Sequence, residues 1–155
     1  MNFDIHTKWM EEAYNLAIKS YNCDEVPVGA IIVENNKIIG RGHNEVEKLN
    51  DSTAHAEMIA ITSAANYKND WRLIDTSIYI TKEPCIMCYG AILNSRIKNL
   101  YYGVEDPKLG FKVNLVDLNY LNIHLNNIQS GILHEKCRVI LKEFFQNKRK
   151  NNKIK

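Results

Sequence analysis

Apolar residues recur along this chain with two alternating periods. Between about residues 6 and 20, Trp9, Met10, Ala13, Leu16 and Ala17 return every three or four positions, predicting an amphipathic helix with one face on a core. The Val26-Pro27-Val28-Gly29 segment ends that pattern. Two short strands follow, near Ala30 to Val33 and Lys37 to Gly40, and Asn35-Asn36 is the turn between them because asparagine tolerates left-handed backbone. Asp51, Ser52 and Thr53 offer N-cap oxygens just before Ala54, Met58, Ile61 and Ala65, which share one helical face to about residue 66. His55 is therefore expected in the first turn. A third strand, near Ser77 to Thr81 with Ile78 and Ile80 on one face, leads into Glu83-Pro84, and proline suits the opening of a helix over about residues 85 to 94. A strand near Lys98 to Val104, a loop from Glu105 to Asn114, a weak strand around residues 124 to 129 and a helix from about Leu133 to Lys148 complete the series. Helices alternate with strands, so the expected class is α/β. The sheet should be mixed, with the first two strands antiparallel and the later ones joined by helices.

Composition narrows this picture. With 155 residues, 45% hydrophobic and 25% charged, the chain can bury one core, expected as a single domain over residues 1–150 followed by a basic tail at 151–155. The longest apolar run, Ala30 to Val33, is far below the roughly 20 residues of a membrane span, and Met1-Asn2-Phe3-Asp4 lacks a signal peptide's order. A cytoplasmic protein without membrane contact is expected. Four cysteines in such a chain point to metal rather than a disulfide framework, with Cys85 and Cys88 the candidates. Cys23 and Cys137 have no partner at ligand spacing and are expected to be small packed hydrophobes. Residues 141–155 carry six basic side chains against Glu143, a local +5 within a net +2, leaving −3 elsewhere. Such a tail can meet phosphates, or it can be an ordinary solvated terminus.

Two motifs carry the chemistry. His55-Ala56-Glu57 and Pro84-Cys85-Ile86-Met87-Cys88 together supply one imidazole, two thiolates and one spare carboxylate. Thiolate binds zinc, and a helix N-terminus favours the anion through its partial positive charge, so Cys85 and Cys88 at a helix mouth can both face an ion. Three protein ligands leave the fourth position to water, which marks a catalytic rather than a structural zinc. Zinc brings that water's pKa from 15.7 to about 7, and Glu57 would take its proton, hand it to a substrate ring nitrogen as hydroxide attacks the adjacent carbon, and finally protonate the departing ammonia. The expected reaction is hydrolytic deamination. Mid-helix, His55 and Glu57 would point roughly 200° apart; at an open helix end both can lean into one site.

In this order, the two motifs resemble the signature of the zinc-dependent nucleobase deaminases, the cytidine/deoxycytidylate deaminase superfamily. Within it the chain most resembles the bacterial tRNA-specific adenosine deaminases, which convert a wobble adenosine to inosine. The similarity runs from about residue 8 to 150, through Glu25 to Ala30, His43-Asn44, Thr53 to Glu57, Trp71 to Ile74, Glu83 to Cys88, Ser95 to Ile97, Asp106 to Lys108 and Phe144-Phe145. It implies a three-layer α/β/α cytidine-deaminase-like sandwich with a mixed five-stranded sheet, and a homodimer whose active site lies close to the subunit interface. It makes His55, Cys85 and Cys88 ligands of one Zn2+ per subunit, and Glu57 the proton shuttle. It also places Asn44 and Val28 against the flipped base and Asp106 near the ribose. Lys108, Ser95, Phe144, Phe145 and the basic end become candidates for holding a tRNA anticodon loop.

Some positions depart from that family. Gly110-Phe111-Lys112-Val113-Asn114 replaces a small, serine-containing stretch, and Lys82 and Tyr89 stand where an aliphatic residue and an alanine are usual. Phe111 and Tyr89 either stack on a nucleobase or are packed core or dimer contacts. Altered rim residues keep open a deaminase of a free base or nucleoside, of guanine or cytosine type. A third reading is a non-catalytic site in which Cys85 and Cys88 are structural or redox active; a closed structural zinc would need a fourth ligand, from His43, His124, His134 or Cys137.

Overall fold

The computed structural model describes residues 4–115 and 125–153. Five strands form one sheet: β1 (Gly29–Glu34), β2 (Lys37–His43), β3 (Ser77–Lys82), β4 (Asn99–Val104) and β5 (Asn127–Gln129), in the order β2-β1-β3-β4-β5. β1 is antiparallel to both β2 and β3, while β3, β4 and β5 run parallel. The hairpin turns at Asn35 and Asn36, both with positive φ, as their side chains predicted. Residue 124, the start of the expected last strand, lies outside the described residues.

Six described helices cover the sheet: α1 (Ile5–Asn22), α2 (Val46–Leu49), α3 (Ala56–Lys68), α4 (Ile86–Asn94), α5 (Phe111–Asn114) and α6 (His134–Asn152). The alternation of strand residues assigns the two faces. Ile32, Ile78, Ile80, Leu100 and Tyr102 pack with α3 and α4, whereas Ile31, Val33, Tyr79 and Tyr101 pack with α1. With α6 beside α1 and β4, this is an α/β/α sandwich. Trp9, Met10, Ala13, Leu16 and Ala17 are all buried, as the stripe required.

The buried face of α3 is not the expected one. Ala56, Ala60 and Ala64 are fully buried, whereas Met58, Ile61 and Ala65 lie at its flanks. The cause is close approach: a Cβ on Gly42 would sit 2.2 Å from the Ala56 carbonyl oxygen, and one on Gly40 would sit 2.5 Å from that of Ala60. Helix and strand touch backbone to backbone, so only alanine fits between them. Two short helices, α2 and α5, stand where the pattern predicts none; four residues are too few to show a period.

Candidate active site

Both motifs lie at helix mouths over one end of the sheet. Gly29 pairs with His43, Ala30 with Ile80 and Lys82 with Val104, which gathers the start of β1 with the ends of β2, β3 and β4. His55 is the N-cap of α3 and Cys85 the N-cap of α4, both with extended backbone and neither capping its own helix through its side chain. His55 thus stands one position ahead of the expected first turn. The Asp51 carboxylate accepts from the Thr53 N–H at 2.8 Å and its hydroxyl at 2.7 Å, so it organises the approach to the helix rather than its cap.

The three donors converge. His55 Nδ1 is 3.7 Å from Cys85 Sγ and 3.5 Å from Cys88 Sγ, and all three ligand atoms lie within 4.8 Å of one another. One imidazole and two sulfurs at that spacing are a donor set suited to zinc. Among the described residues no further His, Cys, Asp or Glu joins this group. His43 Nδ1 instead meets Ser20 Oγ at 3.1 Å, His134 meets Glu135, and Cys137 is buried against Gly103. His124 lies outside the described residues. Among the described residues the cup has three protein donors, and two of them, His55 and Cys85, line a cavity.

Electrostatics within the cup follow from contact and burial. Hydrogen bonding by Cys88, opposed by burial, brings the Cys85 thiol down to about 3. Its neighbour is pushed the other way: the Cys85 sulfur, burial and Glu57 all raise Cys88. His55 is raised by its hydrogen bond to Cys85 and by Glu57. Burial raises the Glu57 carboxyl above the usual carboxylate range, against the pull of His55. Glu57 is 4% exposed and lines the same cavity as His55 and Cys85, so a proton carrier and a metal cup face one space.

That cavity holds about 540 Å³. Val28 and Asn44 line it. Asn44 donates from Nδ2 to the Val26 carbonyl at 3.2 Å, while its buried Oδ1 has no hydrogen-bond partner among the described residues. Phe144, Phe145 and Lys148 of α6 form another wall. Asp106 and Lys108 belong to the adjoining rim rather than the lining. The Asp106 carboxylate is paired with Lys82 at 2.5 Å and accepts from the N–H groups of Lys108 and Leu109, both at 3.0 Å. Ser95 is the C-cap of α4, about 15 Å along the helix from Cys85, and its carbonyl accepts from Leu73 N–H. There Arg96 and Arg72 lie over Trp71, away from the cavity.

The unusual positions prove to be mutual partners. Tyr89 and Phe111 are 0% and 1% exposed, and their rings stack with centroids 4.0 Å apart and planes within 2°. They are packed core, which settles the choice between stacking on a base and burial. Cys137 is buried as expected, but Cys23 is exposed at the end of α1, a correction. Its helix ends there, before any apolar layer closes over the thiol.

Sequence reasoning assigned no role to Glu25 and Glu83, although both fall in the segments that carry the resemblance. Both line the cavity wall and are buried, accepting backbone N–H groups from distant segments. Their only local signal is a carboxylate beside Val-Pro or Pro-Cys, which says nothing of a partner more than 20 residues away.

A His-Cys-Cys cup beside a buried carboxylate, on a mixed five-stranded sheet flanked by helices, defines a deaminase of the cytidine-deaminase-like class. The model of the MafB19-like deaminase family matches residues 4–149. The tRNA-specific adenosine deaminase of Rickettsia typhi is 44% identical over 146 residues, covering 90% of this chain and 97% of that one. A solved structure from studies of A-to-I editing by tRNA:A34 deaminases at the wobble position of transfer RNA superposes with a TM-score of 0.80 at 37% identity, covering 87% and 99% of the two chains. Guanine deaminase from Bacillus subtilis gives a TM-score of 0.61 at 38% identity over 68% of this chain and 66% of its own. The chain belongs to the family of tRNA-specific adenosine deaminases.

Proposed function

We propose that this protein deaminates the wobble adenosine of a tRNA anticodon loop to inosine, releasing ammonia, and that it works as a cytoplasmic homodimer. The observation that carries this reading is the convergence of His55, Cys85 and Cys88 within 4.8 Å beside the buried Glu57, in a chain 44% identical to a tRNA-specific adenosine deaminase. His55, Cys85 and Cys88 would hold Zn2+, whose Lewis acidity makes a water reactive at neutral pH. Glu57 takes the water's proton and delivers it to the ring nitrogen next to the amine-bearing carbon. It then takes the proton of the newly added hydroxyl and passes it to the leaving amine, so that water and adenosine give inosine and ammonia. Burial suits Glu57 to this task by making its carboxylate a stronger base than an exposed one.

The unpartnered Asn44 Oδ1 offers the base an acceptor, and Val28 an apolar wall. Asp106 sits at the rim where a ribose would pass, and Lys108 is exposed beside it. Phe144, Phe145 and Lys148 line the cavity on the α6 side, which supports a role for them and for the basic end of that helix in holding neighbouring nucleotides of a single-stranded loop. Ser95, at the far end of α4, would reach the RNA only on another part of its path. Support for the dimer rests on the resemblance to the family.

The similarity to guanine deaminase favours one second reading, hydrolysis of a free base. The test is a Glu57→Ala variant assayed for metal and for inosine on an anticodon stem-loop, beside free adenosine, guanine and cytosine. Zinc should remain while inosine disappears. Full activity in the variant refutes the proton carrier, and turnover of a free base without turnover of RNA reverses the two readings.

A further inference from the structure

Two buried carboxylates in the cavity wall have no task in the deamination chemistry. Glu25 is 2% exposed and Glu83 is 3% exposed. Burying such a group is costly unless its oxygens are satisfied, and each of these uses both oxygens on backbone donors from a distant segment. Glu25 accepts from Glu47 N–H at 3.2 Å and Lys48 N–H at 2.8 Å; Glu83 accepts from Asp106 N–H at 2.8 Å and Lys112 N–H at 3.1 Å.

The two segments leave the sheet on different sides of the site. α2, with Glu47 and Lys48, follows β2, whereas the Asp106–Lys112 segment follows β4, and β1 and β3 lie between those strands. Both segments reach the cavity, through Val46 and Glu47 from one side and Leu109 from the other. Further contacts lock the second segment to the end of β3 and the start of α4. Phe111 N–H donates to the Pro84 carbonyl at 3.0 Å, Phe111 stacks on Tyr89, Lys82 pairs with Asp106, and Cys85 forms a β-bridge with Gly110.

We infer that Glu25 and Glu83 are a matched pair of positioning residues that fix the rim on its two sides, setting one width of entrance for a nucleobase splayed out of single-stranded RNA. This rests on the function proposed above. With both oxygens of each carboxylate engaged by backbone donors, they act through the segments they hold, so their effect falls on admission of the RNA rather than on the proton transfers.

Glu25→Gln and Glu83→Gln test this with little change of shape, because the new amide NH2 faces an N–H where an oxygen had accepted. Amide exchange should quicken at Glu47 and Lys48 in the first variant and at Asp106 and Lys112 in the second. KM for the anticodon stem-loop should rise about tenfold in each, with kcat within about twofold and zinc content unchanged, as loss of a charge-assisted hydrogen bond at a binding rim predicts. An unchanged KM despite locally faster exchange overturns the inference, as does a fall in kcat that follows lost metal. Should Glu83→Gln fail to fold, Gly110→Ala serves instead: its Cβ would lie 2.4 Å from the Glu83 carboxyl carbon, displacing the clamp without removing the charge. The same rise in KM supports the inference, and a wild-type KM overturns it. A wild-type chain that makes no inosine refutes the tRNA-adenosine reading on which the inference rests, whereas an active wild type whose variants keep its KM refutes only the clamps.

Discussion

Gly42→Ala should cost this protein its metal and its activity out of proportion to its stability. The added Cβ would lie 2.2 Å from the Ala56 carbonyl oxygen and 2.6 Å from the Ala60 nitrogen, where ordinary contact begins at 3.4 Å. Helix α3 and strand β2 must therefore part by about 1.2 Å at the point where α3 begins. His55 caps that end and Glu57 is its second residue. Overpacking of this kind costs about 1–3 kcal/mol, which for a chain of this size lowers Tm by roughly 2–12 °C and leaves it folded at 25 °C. Metal sites tolerate about 0.2 Å in ligand distance, and a misplacement of about 1 Å costs on the order of a hundredfold in rate. Gly90→Ala is the internal control. Gly90 lies inside α4 with nothing within 4 Å of an added Cβ, so alanine there should stabilise by about 1 kcal/mol and keep the site intact. Zinc per chain, Tm and inosine formation, measured on both variants, decide the matter. A Gly42→Ala protein with full zinc and a wild-type rate would show that the close approach of α3 to β2 does not hold the site in place.

Three other outcomes follow from individual contacts. Burial opposes ionisation of Asp106, but the Lys82 ammonium and the N–H groups of Leu109 and Lys108 win and hold its carboxyl below the usual range. A depressed folded-state pKa gives stability that is complete above the unfolded value of about 3.9 and is lost as pH falls through the folded one; acid unfolding of wild type and Asp106→Asn should therefore converge at low pH, and curves differing equally at every pH refute this. In the zinc-loaded protein the exposed Cys23 should react first with a thiol reagent, and Cys137, pushed up to about 12 by burial, only on unfolding, which mass mapping of the labelled sites checks. Truncation after Gln146 removes Lys148, Arg149, Lys150, Lys153 and Lys155, and with them the Lys148–Asp24 ion pair at 2.6 Å. RNA binding should weaken, and its log–log salt slope should flatten by about 0.7 for each phosphate no longer neutralised; an unchanged slope makes these residues ordinary solvated charges.

Local pattern was enough for the elements whose apolar period is long. The stripe from Trp9 to Ala17 and the alternation of Ile78 and Ile80 each chose the observed face, and Asn35-Asn36 turned as their side chains allow. The period misled in α3. Met58 and Ile61 are the larger apolar residues, yet Gly40 and Gly42 on a strand two elements earlier bring the backbone so near that Ala56, Ala60 and Ala64 must face inward. No window of sequence around α3 contains that constraint. Cys23 and Cys137 show the same limit: two thiols without partners, one buried and one exposed, separated only by what the fold lays over them.

Donor chemistry was determined by the sequence alone. One imidazole, a cysteine pair three apart and a spare carboxylate specify a donor set suited to zinc with an acid/base beside it, because bonding preferences belong to the side chains themselves, and their order along the chain carries the resemblance to the deaminases. Tertiary structure decided where these groups stand and what holds them. It brought two helix mouths 30 residues apart to one sheet end, paired Lys82 with Asp106, and stacked Tyr89 on Phe111. It also turned Glu25 and Glu83 into buried acceptors for segments far along the chain. These are contacts across long separations, set by how layers pack and not by the residues on either side.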